Sequence, residues 1–229
     1  MPNNATLTLR VLARLLGYPD AELRARLGEL STALHSERAL GDARLAELDA
    51  LMKSMTARDP IELEADYVQL FDRGRSTSLH LFEHVHGDSR DRGPAMIDLA
   101  QTYEKAGLYL AEGELPDYLP VVLEFVSTQP AKEARAFLGE MAHILNAIFS
   151  ALVKRQSAYA SALGALLEIA GEKAQAVKVA EEQPLDESWE EPVAFGGCST
   201  EGQARPGQPQ PIRIVRNDVP RPGTPQQGA

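Results

Sequence analysis

A chain of 229 residues with 44% apolar content is long enough for one ordinary domain or two small ones. Its net charge of −10 repels phosphate backbones and anionic membrane surfaces, so nucleic acid is excluded as a natural partner and a basic peptide is the better complement. The single cysteine, Cys198, rules out an intrachain disulfide and any multi-cysteine metal site. Ala and Leu dominate, aromatic residues are few, and the β-branched runs that strands use are nearly missing, which predicts an all-α protein.

The N-terminus is polar and then amphipathic. It lacks the basic-then-apolar order of a secretory signal, and no run approaches the length of a membrane span, so a cytoplasmic protein without stable membrane insertion is expected. Leu9, Leu12, Leu15 and Leu16 mark a first helix over 6–16, ended by Gly17 and Pro19. Asp20 is placed to cap a second, carrying Leu23, Leu27, Leu30 and Leu34, and Gly41-Asp42 opens a third. Asp59-Pro60 is a helix start, with the proline in the first turn where its missing N–H costs nothing. The helix it begins carries Leu63, Tyr67, Leu70 and Phe71. Leu70 and Phe71 are expected in the core and Tyr67 nearer a groove.

Residues 72–93 are irregular, broken by Gly74, Gly87 and Gly93, with a short helix expected over Leu79–Val85. Pro94 restarts a helix that ends near Gly107. Asp117 follows the loop 112–116 and is placed to cap a helix holding Leu119, Val122, Leu123 and Val126. Phe137, Met141, Ile144, Leu145, Ile148 and Leu152 fall on one apolar helix, and Tyr159, Leu163, Leu166 and Leu167 on a last one. After Glu182 the composition changes: eight of the fifteen prolines lie in 183–229, which is expected to be mostly disordered, with a possible docking segment at 189–198.

Chemistry concentrates in the middle of the chain. His80, His84 and His86 form an H-x3-H-x-H cluster beside Glu83. The first two share a helix face at a spacing used by zinc pairs, although the order of a zinc-protease helix is absent. Arg73, Arg75, Arg90 and Arg92 are interleaved with Asp72, Asp88 and Asp91, a pattern that more often makes a neutral salt-bridged loop than an anion site. Gly-rich phosphate loops and a G-x-S-x-G elbow are missing, and Cys198 sits in a glycine-rich tail, so an enzyme is not expected.

Three blocks in order, Tyr67-x-x-Leu70-Phe71, Ser78–Gly93 and Glu114–Pro120, resemble the NarJ branch of the NarJ/TorD/DmsD family, over roughly residues 6–198. Glu114-Leu115-Pro116-Asp117-Tyr118 is similar to that family's short Glu-Pro-x-Asp-His motif in variant form. Tyr118 stands near the usual histidine and cannot inherit its role.

The resemblance implies a single-domain helical bundle over 1–182. It implies a system-specific chaperone that binds the apo catalytic (alpha) subunit of a respiratory nitrate reductase through its N-terminal leader-like segment. Such a chaperone promotes molybdenum cofactor insertion, holds no cofactor of its own and is not part of the final enzyme. Partner contacts are then expected from Tyr67, His80, Glu83, His84, His86, Asp88, Arg90, Arg92, Glu114, Pro116, Asp117 and Tyr118, with Glu83, Asp88, Glu114 and Asp117 as an acidic rim. The rival readings are a metal- or small-molecule-binding enzyme built on His80–His86 and a structural subunit retained in the complex.

Overall fold

Apolar residues occupy most turn positions of α1 (Thr6–Leu16), so this helix has to be enclosed, and Leu9, Val11, Leu12, Leu15 and Leu16 are all buried. The same holds for α10 (Ala160–Ala170), whose residues 161–167 are buried without a break. These two helices touch and form the centre of an all-helical fold in a computed structural model that describes residues 5–87 and 89–175. The expectations for 183–229, the segment 189–198 and Asp88 lie outside the described residues.

Around the centre pack α2 (Ala21–Glu37), α3 (Asp42–Ala57), α7 (Leu119–Ser127), α8 (Ala131–Glu140) and α9 (Ala142–Lys154). α7 lies along α1, while α3, α8 and α9 lie against α10. The caps are local and match the sequence. Asp20 accepts from the Leu23 N–H at 2.7 Å, and Asp59 accepts from the Ile61 and Glu62 N–H groups at 2.9 and 3.2 Å. Each such cap stabilises its helix by about 1 kcal/mol.

α4 (Pro60–Tyr67) does not continue as an ideal helix but widens into a π-helical turn over Val68–Asp72, where the Arg73 N–H donates to the Val68 carbonyl at 3.1 Å. The wider turn rotates Leu70 outward, so Leu70 is only half-buried while Phe71 stays in the core. At Gly74 a Cβ would lie 2.5 Å from the Leu70 carbonyl oxygen and 2.9 Å from Arg155 Nη1, so only glycine fits. A 3-10 turn, Arg75–Thr77, follows, and the buried Thr77 hydroxyl donates back to the Leu70 carbonyl.

Three expected boundaries move. The helix expected over Leu79–Val85 begins at α5 (Leu81–Val85), because Leu79 and His80 are extended and bridge to the 117–119 segment. α6 (Arg92–Lys105) starts two residues before Pro94, which still sits in the first turn. The single helix expected from Phe137 to Leu152 is two helices, α8 and α9, bent by 65° around Met141. Gly139 weakens the helix just before the break, and each arm keeps its own apolar face, so spacing alone could not show the bend. Among the described residues no single helix is long and apolar enough to cross a membrane. The bent α8–α9 pair buries Ala134, Leu138, Leu145, Ile148 and Leu152 inside the fold.

Candidate functional site

Two extended stretches meet beside α5. The Leu81 N–H donates to the Asp117 carbonyl at 3.0 Å and the Leu119 N–H to the Leu79 carbonyl at 2.8 Å, an antiparallel bridge pairing His80 with Tyr118. Their rings lie 5.2 Å apart. The bridge carries the Asp117 side chain into the interior, where it is fully buried. Its Oδ2 accepts from the Phe82 N–H at 3.2 Å, its Oδ1 lies 3.3 Å from His80 Nδ1, and Arg92 Nη2 lies 3.5 Å from Oδ2. The same Arg92 nitrogen is 3.5 Å from Glu83 Oε1.

Asp117 therefore caps α5, not α7 as its position in the sequence suggests; α7 begins with no side-chain cap and with Pro120 in its first turn. Nor does Asp117 form part of an exposed acidic rim. A carboxylate without water needs partners, and His80, Arg92 and the Phe82 amide supply them.

A second chain of contacts runs from Tyr118 into the core. The Tyr67 hydroxyl donates to the Leu16 carbonyl at 2.7 Å and so accepts from the Tyr118 hydroxyl at 3.1 Å. Tyr67 is buried, packed against Phe71 with ring centroids 4.8 Å apart and against Tyr159 at 6.1 Å, and it contributes to the lining of a cleft together with Leu51, Met55 and Tyr159. Burial pushes its hydroxyl far above the ordinary tyrosine value. Pro116 is buried too, its carbonyl accepting from the Tyr103 hydroxyl at 2.8 Å, which pins the 114–118 loop to α6.

The remaining expected residues are on or near the surface. Arg90 and Glu114 are exposed, and His80, Glu83, His84, His86, Arg92 and Tyr118 are half-buried. Glu114 accepts from the Ala111 N–H at 3.3 Å, closing its own turn. The three imidazoles have separate partners: His80 faces Asp117, His84 Nε2 is 2.9 Å from the Ser78 carbonyl, and His86 packs edge-on to Phe82. No group of three or more His, Cys, Asp or Glu that could hold a metal ion occurs among the described residues. The Ser78 hydroxyl contacts the His80 backbone N–H at 3.2 Å rather than its ring, so the His80–Asp117 pair is not aimed at that hydroxyl.

Sequence reasoning missed the anchoring roles of Ser78, Thr77 and Tyr103. The local signal was three polar residues, Ser76 to Ser78, shortly after Gly74.

The hydrogen bond to Asp117 raises the pKa of His80, with Glu83 adding to the rise and burial and Arg92 opposing it. A raised folded-state pKa stabilises the fold below the unfolded value of about 6.5, and that contribution is lost as pH rises through the folded value. His80→Gln should therefore narrow the stability gap between mildly acidic and alkaline solution. Thermal melts of both proteins from about pH 5.5 to 8.5 check this, and a variant whose melting temperature depends on pH as strongly as the wild type's would contradict it.

Comparisons with known proteins agree with one another. The pattern of the family described as nitrate reductase delta subunit matches residues 19–165. The nitrate reductase molybdenum cofactor assembly chaperone NarJ of Escherichia coli K12 is 42% identical over 193 residues, covering 80% of this chain and 82% of its own length. A probable NarJ chaperone of Bacillus subtilis is 33% identical over 70% of this chain and 86% of its own. A crystal structure described as a redox enzyme maturation protein from Archaeoglobus fulgidus superposes with a TM-score of 0.51 over 73% of this chain and 94% of its own, at 21% identity, and so shares the fold. With the pattern spanning more than half of the chain and two long relatives above 30% identity, the chain belongs to the nitrate reductase delta subunit family.

Proposed function

We propose that this chain is a system-specific chaperone for the assembly of a respiratory nitrate reductase. It binds the apo catalytic subunit through an N-terminal leader-like segment, keeps it receptive to the molybdenum cofactor, and is absent from the finished enzyme. It does this in the cytoplasm, without stable membrane insertion and without catalysing a reaction. The observation that carries this reading is the kinship with curated assembly chaperones over four-fifths of the chain.

The geometry supports it. The polar groups around Asp117 satisfy one another instead of converging on a reacting atom, and they hold α5, α6 and the 114–118 loop in one arrangement at the surface. Such a latch presents side chains to a partner; Val85, Leu115 and Ile97 on these segments, and Tyr109 between α6 and the loop, are exposed apolar groups. The contact surface we assign comprises the accessible members, Glu83, His84, His86, Arg90 and Glu114, with Asp117, Pro116 and Tyr67 holding it from beneath.

The family description, a delta subunit, favours a second reading in which the chain stays in the complex. Affinity purification of the tagged chain from cells with and without molybdenum cofactor synthesis separates the two. The proposal expects the apo catalytic subunit to co-purify when the cofactor is missing, and active reductase to contain none of the chain. Stoichiometric retention in active enzyme would establish the subunit reading instead. Alanine at Glu83, His84 or Glu114 should reduce capture of the apo subunit while costing only about 1 kcal/mol or less of stability, the net value of the ion pair or hydrogen bond each gives up. Normal capture by all three would remove this surface from the proposal.

A further inference from the structure

The carboxylates of the Asp117 cluster are not free to attract a basic partner. Asp117 is buried and Glu83 is tied to Arg92, so the anionic character of the chain must act elsewhere. It gathers on α4. Residues 58–73 contain five carboxylates, Asp59, Glu62, Glu64, Asp66 and Asp72, against Arg58 and Arg73 at the two ends.

Between those charges α4 shows an outward apolar stripe. With Leu63, Tyr67 and Phe71 facing the core, Ile61, Ala65 and Val68 fall on the opposite side; Ile61 is 78% exposed. A helix that buries one face usually carries polar residues on the other, so isoleucine at the centre of the solvent face calls for a partner. Tyr18, itself 47% exposed, stands across from this stripe, and the two sides enclose an open cleft of about 420 Å³. The Tyr18 hydroxyl donates to Glu64 at 2.9 Å, which fixes that wall.

On the other flank of α4 a cleft of about 440 Å³ is lined by Leu51, Met55, Leu70 and Tyr159, with Arg58 and Asp66 paired at its edge. The Tyr159 hydroxyl there is buried without a hydrogen-bond partner among the described residues. The π-helical turn that forms part of both walls is a distortion found often at functional positions.

We propose that this face of α4, with Tyr18 opposite it, is the docking surface for a basic amphipathic segment of the partner. The segment's aliphatic side chains enter the cleft over Ile61, Ala65 and Val68, and its Lys or Arg side chains meet the exposed Glu62 and Asp72, since Glu64 is already held by Arg24 and Tyr18. The inference rests on the assembly reading: the segment is the leader of the apo catalytic subunit, and the surface around Glu83 and Glu114 contacts the subunit's body.

The probe is a synthetic peptide with the first residues of that subunit, titrated calorimetrically into the full chain at low and high salt. The expected results are binding that weakens with salt, a dissociation constant raised about tenfold or more by Ile61→Ser, and a flatter salt dependence in Glu62→Lys. Glu114→Lys should leave peptide affinity within about twofold. Thermal melts establish that the variants fold, as their exposure leads one to expect.

Unchanged peptide binding in both α4 variants overturns the docking surface and leaves the assembly reading intact. Failure of the wild-type chain to bind either the peptide or the apo subunit overturns both. A concentration-dependent dimer in sedimentation runs that Ile61→Ser abolishes, with peptide binding unaffected, would reassign the face to self-association.

Discussion

Replacing Asp117 with alanine should be among the most destabilising single changes in this protein, at about 3–5 kcal/mol. The wild-type carboxylate is fully buried and serves three groups from three segments: the Phe82 amide of α5, the imidazole of His80 and the guanidinium of Arg92 at the start of α6. Alanine leaves a buried amide without an acceptor and two basic groups facing an empty site, and the penalty for each orphaned group outweighs the modest net value of the bond it made. For a domain of this size the melting temperature should fall by roughly 10 °C or more, at about 2–4 °C per kcal/mol.

Asp117→Asn separates charge from shape. Its amide oxygen can still accept from Phe82, so α5 should keep its cap, while the compensation of Arg92 is left to Glu83 alone and an intermediate destabilisation remains. Denaturant unfolding of both variants, with exchange of the Phe82 amide hydrogen as the local readout, checks the assignment. If Asp117→Ala costs less than about 1 kcal/mol, the carboxylate does not hold these segments together.

Asp117 also shows where sequence reasoning reaches its limit. An acidic residue two positions before an apolar helical run has the look of an N-cap, and for Asp20 and Asp59 that local rule holds, because their partners lie two or three residues away. For Asp117 the competing partners are 25 to 37 residues distant, and nothing in the spacing near 117 encodes His80 or Arg92. The π-helical turn is illegible for a related reason. A regular period puts Tyr67, Leu70 and Phe71 on one stripe, and an extra residue in the turn moves Leu70 off it without changing composition.

Most helix positions and the caps of α2 and α4, by contrast, are written in Leu periodicity and in Asp, Gly and Pro punctuation, and most of the described helices start or stop within a residue or two of where these place them. The candidate site was legible as a region, because buried-type and ionisable residues are crowded there. The division of that region into latch and surface was not, since it depends on which carboxylate the bridge at His80 and Tyr118 turns inward.

Phe71→Ala should destabilise the fold on the same scale, about 3–5 kcal/mol, through cavity formation rather than loss of charge. Phe71 is buried and its ring lies 4.8 Å from that of Tyr67 and 5.0 Å from that of Tyr159, so it is the shared neighbour of two aromatic residues from different parts of the chain. Removing it deprives both rings of contacts, and a π-helical turn fixed by Gly74 and Thr77 cannot slide inward to fill the space. Leu70→Ala, one residue away, should cost distinctly less, because Leu70 is already half in solvent.

Tyr67→Phe gives the complementary control. It keeps the ring but leaves the Leu16 carbonyl and the Tyr118 hydroxyl without their partner, a loss of about 1–3 kcal/mol. Chemical denaturation of the three variants should therefore rank Phe71→Ala above both others. A Leu70→Ala loss equal to that of Phe71→Ala would mean that the wider turn closes in solution and restores the regular apolar stripe.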